Sequence, residues 1–477
     1  MTAGNLNLKG GLMYAGVNGY PDYQGHPIHN QFAPRGGAAW SLTDRHVIRA
    51  GYGFFWVPEQ FNGVGEAVIG ARGYTASTSF LSSNDSGLTP AGTLSNPFPS
   101  VQQPQGNSAG LATGAGGTID FIDQNAKPGY VQQYSVDYQW ELPAGNVVTV
   151  GYQGSRSERL TLGGTSDATV NINQLDPSYL SLGTALQQLV PNPFFGNAAF
   201  GNFSKSATIA RGQLLRPFPQ FGDVLAHRSN LGRARYDALV VKWDRRLNVW
   251  GASVNYTYAR LMDNQFGESN SFSARQGQAL DNTNLDAEYG YSLLDVPHRF
   301  NVNASVMLPF GDGHRWATSG LPNALLGGWT VTMAGRYQNG FPLSIWQSSN
   351  NSGLFGSTQR PNVVAGVDPA TAGDWESRLS QWLNPAAWSA APAFTLGNAP
   401  RTDSRVRTPN QYTTDLNIQK SVPFGRKTLL VRADILNVFD QPLFTNVVTQ
   451  LGVANFGAVN QVGGYPRSLQ IQVRMNF

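Results

Sequence analysis

The chain of 477 residues has no cysteine, few charged residues and no long apolar run. Without cysteine, disulfides, thiolate metal sites and cysteine nucleophiles are excluded. Charged residues make up 13% of the chain, about half the usual share, and the net charge is only +4. No run of five or more Lys and Arg occurs, so no nucleic-acid partner is predicted.

Two further absences concern membranes and export. No stretch of about 18 apolar residues is present, which excludes a transmembrane helix. The first residues, MTAGNLNLKGG, lack the charged start and apolar core of a signal peptide. Taken alone, these absences predict a cytosolic protein, and the strand pattern contradicts that prediction.

The chain is rich in alternating apolar and polar residues, the period-two pattern of β-strands. Helical periodicity is nearly absent, and the best helix candidate is DPSYLSLGTALQQLV (176–190), with Asp176 as a possible N-cap. The alternating segments run about 10–13 residues, the length of a tilted membrane-spanning strand, whereas strands of soluble proteins are commonly 5–6 residues. Their apolar faces often begin or end on aromatic residues that could form interfacial girdles: Tyr52, Phe54, Trp56, Trp140, Trp250, Tyr258, Phe300 and Trp329.

The connections distinguish a membrane barrel from a soluble sandwich. Every second connection is mostly short, such as TDR (43–45) and PAG (143–145), with 311–327 as a longer exception. The alternate connections are long and rich in Gly, Asn, Ser and Pro. Short periplasmic turns and long extracellular loops are typical of an outer-membrane β-barrel. The predicted fold is therefore all-β, an antiparallel transmembrane β-barrel with about 12 strands, near 2–16, 32–42, 46–57, 130–142, 146–155, 231–247, 249–260, 299–310, 328–340, 411–421, 428–439 and 467–477.

The last strand, SLQIQVRMNF, has one wholly apolar face and ends on an aromatic residue. Its terminal Phe resembles the signal by which outer-membrane assembly machinery recognises barrels, although it is equally a further girdle aromatic. The residues predicted to face lipid are Leu469, Ile471, Val473, Met475 and Phe477.

Arginines on the polar faces are candidates for the lumen. They could line a solute path, or they could pair with Asp137, Asp415 or Asp434 and hold a filled lumen, and the sequence leaves both interpretations open. The arginines concerned are Arg49, Arg299, Arg336, Arg432 and Arg474.

Three other motifs favour ordinary loop structure over chemistry. GNSAG (106–110) matches a nucleophile elbow but has no strand before it and no helix after it. HPIH (26–29) offers two imidazoles without a third ligand, and the stretch from Asp281 to Asp286 lacks the spacing of a calcium loop. No enzyme, metal or cofactor is predicted.

Several stretches resemble the C-terminal barrel of TonB-dependent outer-membrane receptors, in particular the large Oar-like group. The resemblance is carried by blocks that span nearly the whole chain in family order. They are FAPRGGAAW with VIRAGYGFFW (32–56), LLDVPHRFNVNASVMLPFG (293–311), LGGWTVTMAGRYQNGFPLSI (326–345), RPNVV with WLNPAAW (360–388), and VRADILNVFDQPLF (431–444) with the terminal PRSLQIQVRMNF.

The resemblance implies a 22-stranded barrel with a plugged lumen, of which residues 1–477 would be the C-terminal portion. The family's plug, TonB-contacting segment and export signal lie upstream of the barrel, so an N-terminally truncated fragment is expected. The implied partners are outer-membrane lipid, the barrel-assembly machinery, an unknown bulky solute and, through the plug of the parent protein, the TonB system.

The leading hypothesis is a Gram-negative outer-membrane receptor whose loops capture the solute and whose lumen passes it. A self-sufficient porin-like or adhesion barrel is the first alternative, since an even number of strands permits closure. A soluble β-rich binding protein is the second.

Overall fold

A single antiparallel sheet organises the chain. The structure is a computed structural model, and it describes residues 2–22, 28–57, 73–76, 78, 80–93, 95–96, 101–162, 170–227, 229–246, 249–266, 278–356 and 358–477. Eleven long strands follow one another across the sheet in chain order, each paired antiparallel to the next. They are β3 (Arg35–Thr43), β4 (His46–Trp56), β6 (Tyr130–Leu142), β7 (Asn146–Leu160), β12 (Gly232–Arg246), β13 (Trp250–Asp263), β15 (His298–Met307), β16 (Trp329–Gln338), β22 (Gln411–Phe424), β23 (Lys427–Leu436) and β27 (Ser468–Asn476).

The register keeps like residues on like faces. Val254 of β13 pairs with Val302 of β15 and with Trp243 of β12, while the next residue, Asn255, pairs with Asn301 and Lys242. Because side chains alternate across a strand, this register gives the sheet one apolar and one polar face. The predicted all-β antiparallel fold is confirmed, and the observed ends of the eleven strands lie within five residues of the predicted ones.

The predicted strand at 2–16 is wrong. This segment forms only a small hairpin, β1 (Thr2–Ala3) with β2 (Leu6–Asn7), which does not pair with the large sheet. Its alternating apolar residues are real but serve another purpose, since Ala3 and Leu8 are buried against aromatic residues of the long loops. The twelfth member of the large sheet is instead the two-residue strand β14 (Gly290–Tyr291), which pairs antiparallel with the last two residues of β13.

The two outermost long strands, β3 and β27, run in the same direction. Strand direction alternates across the sheet, and the number of long strands, eleven, is odd. All nine residues of each strand are exposed. Direct pairing of β3 with β27 would be parallel, so a wholly antiparallel barrel that includes this sheet requires an odd number of further strands. The twelve-strand closure permitted by the sequence is therefore not formed by these strands.

The long connections all lie at the same end of the strands, where they fold into a layer of short elements. Its larger strands are β5 (Ile119–Ile122), β11 (Val224–His227), β21 (Asp403–Arg407), β24 (Leu443–Val447) and β26 (Val459–Gly463). The shorter ones are β8 (Val170–Asn171), β9 (Leu189–Pro191), β10 (Thr208–Ala210), β17 (Pro342–Leu343), β18 (Trp346–Gln347), β19 (Asn362–Val363), β20 (Trp388–Ser389) and β25 (Gln450–Leu451). We call this part of the chain, together with β1 and β2, the loop layer.

Helices are few and short. They comprise α1 (Arg211–Leu214), α2 (Gly320–Leu326) and 3-10 segments at Gly110–Ala112, Pro177–Gln187, Ala198–Lys205, Leu285–Glu288 and Pro385–Ala387. The predicted helix at 176–190 is a 3-10 segment kinked at Gly183, and Asp176 caps it by accepting the Ser178 amide at 2.8 Å. None of the helices among the described residues has the length and apolarity needed to cross a bilayer.

Because the chain has no native cysteine, single cysteines can show which end of the strands faces the cell exterior. Ala372→Cys lies in an exposed long loop, and Asp44→Cys lies in an exposed short turn. In intact cells a membrane-impermeant maleimide should label the first variant, and it should label the second only after the outer membrane is permeabilised. Labelling of Asp44→Cys, but not Ala372→Cys, in intact cells would reverse the assigned topology.

Candidate functional site

Aromatic residues on the apolar face form two bands, one at each end of the strands. Trp250 and Tyr258 mark the two ends on β13, separated by eight residues, or about 26 Å along the strand before tilt. That distance matches the apolar band of about 25 Å expected of a membrane barrel. The predicted girdle residues divide between the bands, with Tyr52, Phe54, Trp56, Tyr258 and Phe300 near the long loops and Trp140, Trp250 and Trp329 near the short turns.

Cations accompany the band beside the short turns. Arg245 lies over the Trp250 ring at 4.0 Å, and Lys420 lies over Trp329 at 5.0 Å. Aromatic rings carrying a polar or charged neighbour suit a membrane–water interface, where one end is apolar and the other is wet. Beside the long loops the rings also stack on one another, as Phe54 does on Tyr130 at 4.9 Å, and Arg159 lies over the Tyr130 ring at 5.6 Å.

The C-terminal strand presents the predicted apolar face without cover. On β27, Leu469 pairs with Ile435 and Val473 with Val431, so apolar side chains continue across from β23. Lys427 lies 4.5 Å from the ring centroid of Phe477, which places this residue among the turn-side aromatics. Its role in assembly stays a prediction. The exposed fractions of the five residues are 62% for Leu469, 67% for Ile471, 66% for Val473, 40% for Met475 and 89% for Phe477.

The opposite face of the sheet is polar, and the candidate arginines lie on it in different surroundings. Arg432 forms an ion pair with Asp434, with Nε 2.8 Å from Oδ2. Arg49 donates to Gln139 and Arg336 donates to Gln338. Arg432 is therefore ion-paired with one of the predicted carboxylates, whereas Arg49 and Arg336 donate hydrogen bonds to neutral amide side chains.

The remaining two candidate arginines are also without an ion pair in the described part of the chain. Among the described residues, Arg299 and Arg474 have no ion pair, and both side chains are exposed. Arg299 on β15 pairs with Gln338 on β16, so Arg336 is its diagonal neighbour on the same face, at a typical spacing of about 7–8 Å. The Asp415 carboxylate accepts a hydrogen bond from the backbone N–H of Asn437 at 2.8 Å. The upper inner wall thus carries two neighbouring positive charges.

A depression in the inner wall lies near β3. It has a volume of about 510 Å³, and its lining includes Gly51 and Gly53 of β4, which have no side chain to fill it. Arg35 lies over the Phe55 ring at 4.4 Å on one side of it. Its polar lining comes from Gln133, Ser135, Gln153, Ser155 and Tyr236.

The largest apolar cores of the described residues lie in the loop layer. One cluster includes Leu343, Ile345, Leu383 and Val447, all fully buried. A second is built on Phe194, Phe200 and Phe221 and includes Ala3 and Leu8 of the N-terminal segment. The described parts of the long connections are therefore packed structure and not open coil.

Buried arginines pin the loop layer to the ends of the strands. Arg401 reaches from the connection after β16 to the end of β13, where its Nη2 lies 2.6 Å from Asp263 Oδ1. The same guanidinium donates to backbone carbonyls of Asp263, Gln265, Glu288 and Tyr291. Each of these carbonyls belongs to the last residue of β13 or to the long connection between β13 and β15. We call this contact, with the two described next, the arginine latch.

Arg360 and Arg407 complete the latch. Arg360 pairs with Glu288 at 2.7 Å, and both side chains are almost fully buried. Burial lowers the pKa of Arg360, and the Glu288 carboxylate opposes that shift. Arg407 pairs with Asp295 at 2.6 Å, while Asp295 also accepts the Leu261 backbone N–H. These residues were not predicted, because sequence shows isolated charges in polar loops and not which ones meet.

The sequence motifs that suggested chemistry have structural roles. Ser108 of GNSAG donates to the Gln105 carbonyl at 2.6 Å within a turn. Asp281 accepts from Gln174 and Thr283, and Asn282 also binds Gln174, so this acidic stretch joins two long loops. Of HPIH, His26 lies outside the described residues.

Residues 2–470 match the family model described as an outer membrane beta barrel domain, and the chain belongs to this family. It is therefore an outer-membrane β-barrel protein of Gram-negative type, which confirms the predicted class and location and corrects the cytosolic prediction from the N-terminal residues. No curated protein shows significant similarity to the chain.

Solved structures similar to the chain are outer-membrane receptors and transporters. The ferripyoverdine receptor of Pseudomonas aeruginosa is 12% identical, with a TM-score of 0.39, over 93% of this chain and 32% of the receptor. The transporter YddB from Escherichia coli is 9% identical, with a TM-score of 0.40, over 92% and 39%. The siderophore receptor PiuA from Acinetobacter baumannii is 11% identical, with a TM-score of 0.36, over 92% and 35%. The chain thus spans about a third of the length of these structures.

The arginine latch makes a testable contribution to the loop layer. Arg401→Met leaves the Asp263 carboxylate buried without its partner, which typically costs about 3–5 kcal/mol. Thermolysin should cleave the long connections of this variant about a hundredfold faster or more, while the heat-dependent gel shift of the sheet is retained. Arg156→Met is the matched control, because its ion pair with Glu158 is 65% exposed on the arginine side and contributes little. An unchanged cleavage rate for Arg401→Met would contradict the latch.

Proposed function

We propose that this chain is the barrel portion of an outer-membrane receptor that captures a bulky solute at the cell surface and takes it up in a TonB-dependent manner. The observation that carries the proposal is the folded loop layer. Fully buried clusters and ion pairs pre-organise the long connections, and a pre-organised surface binds with less loss of conformational entropy.

Space for a ligand is present within this layer. One cavity of about 400 Å³ lies beside β5, and a wider polar one of about 850 Å³ lies on the other side of β5, near the Asp120–His227 pair. Both volumes fall in the range of small-molecule sites.

The polar inner face supports passage of the solute beneath the loop layer. Arg299 and Arg336 add positive charge near the long-loop end of this face, and the inner-wall depression adds amide and hydroxyl groups near the same end of other strands. These groups offer weak, successive contacts for a polar or anionic part of the solute. The five candidate arginines are therefore proposed as lining residues, with Arg432 held by Asp434 in a structural role.

The topology weighs against a porin-like barrel closed by the described strands alone. The eleven long strands among the described residues cannot close on themselves through antiparallel pairs. A receptor barrel of larger strand number meets the closure requirement, because further strands complete it. This parity and the family match support the proposed domain assignment, the C-terminal portion of such a barrel.

Uptake can be tested even though the solute is unidentified. Spent medium from the wild-type strain, a strain in which the gene is disrupted, and wild-type cells treated with a protonophore would be compared by untargeted mass spectrometry. At least one bulky solute should stay undepleted in both the disrupted and the protonophore-treated cultures, because energised uptake needs both receptor and proton-motive force. Restoration by the intact gene is the control. Solute depletion that is indifferent to gene disruption would contradict the proposal.

A further inference from the structure

We propose that the loop layer binds an extended peptide segment with alternating apolar and basic side chains, which adds as a further strand to the outer edge of β5. This inference rests on the proposed function and names the class of solute that the receptor recognises. The features that carry it are the orientation of the β5 backbone, the cavity beside it and the chemistry of the cavity's lining.

The orientation of the β5 backbone follows from the small sheet in which it lies. β11 is the central strand, with β5 parallel to it on one side and β8 antiparallel on the other. Ile119 donates its backbone N–H to the Asp223 carbonyl at 2.9 Å, and Asp123 donates to His227 at 3.3 Å. Because backbone groups of successive residues point to opposite sides, the N–H and C=O of Ile122 point away from β11. β5 is an outer strand of the small sheet, and Ile122 lines the cavity beside it.

The cavity has the dimensions of an added strand. Its volume is about 400 Å³, and it follows all four residues of β5 and the next three, as far as Asn125. Four strand residues extend over about 13 Å, so a peptide of about four residues could lie alongside. The rest of the lining includes the segment from Gly10 to Ala15. We call the cavity between β5 and this segment the slot.

The segment from Gly10 to Ala15 is held in place by contacts with the loop layer. Gln220, fully buried, donates from Nε2 to the Lys9 carbonyl at 2.7 Å. A Cβ at Gly10 would lie 2.7 Å from the Phe218 ring, and one at Gly11 would lie 2.6 Å from the Leu111 carbonyl oxygen. Only glycine permits this close approach, so these two positions fix the segment against its neighbours.

The lining predicts the side chains of the peptide. One face of the slot is apolar, with Ile119 and Phe121 of β5 beside Leu12, Phe218 and Phe221. The described lining also contains two carboxylates and no Lys, Arg or His: Asp120, which lies on the opposite face of β5 from Ile119 and Phe121, and Asp123, just beyond the strand. Asp120 faces His227 at 3.2 Å, which compensates part of its charge. Since an added strand presents alternate residues to opposite faces, apolar and basic residues should alternate.

Binding would be measured with the full chain in a neutral maltoside and a fluorescein-labelled acetyl-Val-Lys-Val-Lys-Val-amide, by fluorescence anisotropy. Saturable binding with a dissociation constant in the micromolar range is expected. The peptide with Glu in place of Lys should bind at least about tenfold more weakly because of the two carboxylates. A version methylated at every backbone nitrogen should also lose about tenfold or more, since strand addition depends on backbone N–H groups. Equal affinity of all three peptides, or no saturable binding below about 1 mM, would overturn the proposal.

A variant of the protein tests the same edge. Ile122→Pro removes the N–H that points away from β11 while leaving the ladder to β11 intact, because proline is tolerated at sheet edges. Peptide affinity should fall about tenfold, the value of one hydrogen bond of about 1.4 kcal/mol. Ile122→Val is the matched control and should bind as the wild type does. Unchanged affinity of Ile122→Pro overturns strand addition, and if that variant does not fold, the methylated peptide on the wild-type chain decides.

The binding assay requires neither transport nor TonB. Peptide binding without solute depletion in the uptake experiment would therefore contradict the proposed function alone. Uptake of a solute in the absence of peptide binding would contradict this inference alone.

Discussion

The rest of the structure depends on one constraint, that every backbone N–H and C=O inside a bilayer must be paired by a neighbouring strand. It explains the long strands, the strictly antiparallel register and the alternation of faces. It also makes the two edge strands the decisive feature of the sheet, because β3 and β27 each offer an unpaired side among the described residues. Since the two strands run in the same direction, the pairing of these edges calls for additional strands.

The same constraint separates the molecule into regions with different stabilising forces. In the sheet, apolar side chains face outward to lipid and the inner face is polar, so ordinary core packing is sparse there. The buried apolar clusters lie instead in the loop layer, around Leu343 and Val447 in one case and Phe194 and Phe221 in another. Water-facing loops can hold a fixed shape only with such cores and with buried ion pairs that tie neighbouring loops together, as Arg401 does at Asp263.

Sequence periodicity predicted the sheet well because the membrane imposes a simple, local rule. The period of two, the length of the strands and the placement of Trp140, Trp250 and Trp329 at one end follow from it. The rule failed at residues 2–16, where alternation is equally clear but the apolar residues pack against loop aromatics. The arginine latch and the slot beside β5 were out of reach for a related reason. Arg401 and Asp263 are 138 residues apart, and no local pattern indicates that they meet.

The central claim is that the long connections form a folded layer fixed to the strand ends. Hydrogen–deuterium exchange of the protein in lipid nanodiscs tests it most directly, because exchange reports local opening of each segment. The segments at 279–296 and 399–407, which carry the two sides of the arginine latch, should exchange as slowly as β13 and β15. Exchange of these segments at the rate of an unstructured peptide, with the strands still protected, would contradict the account.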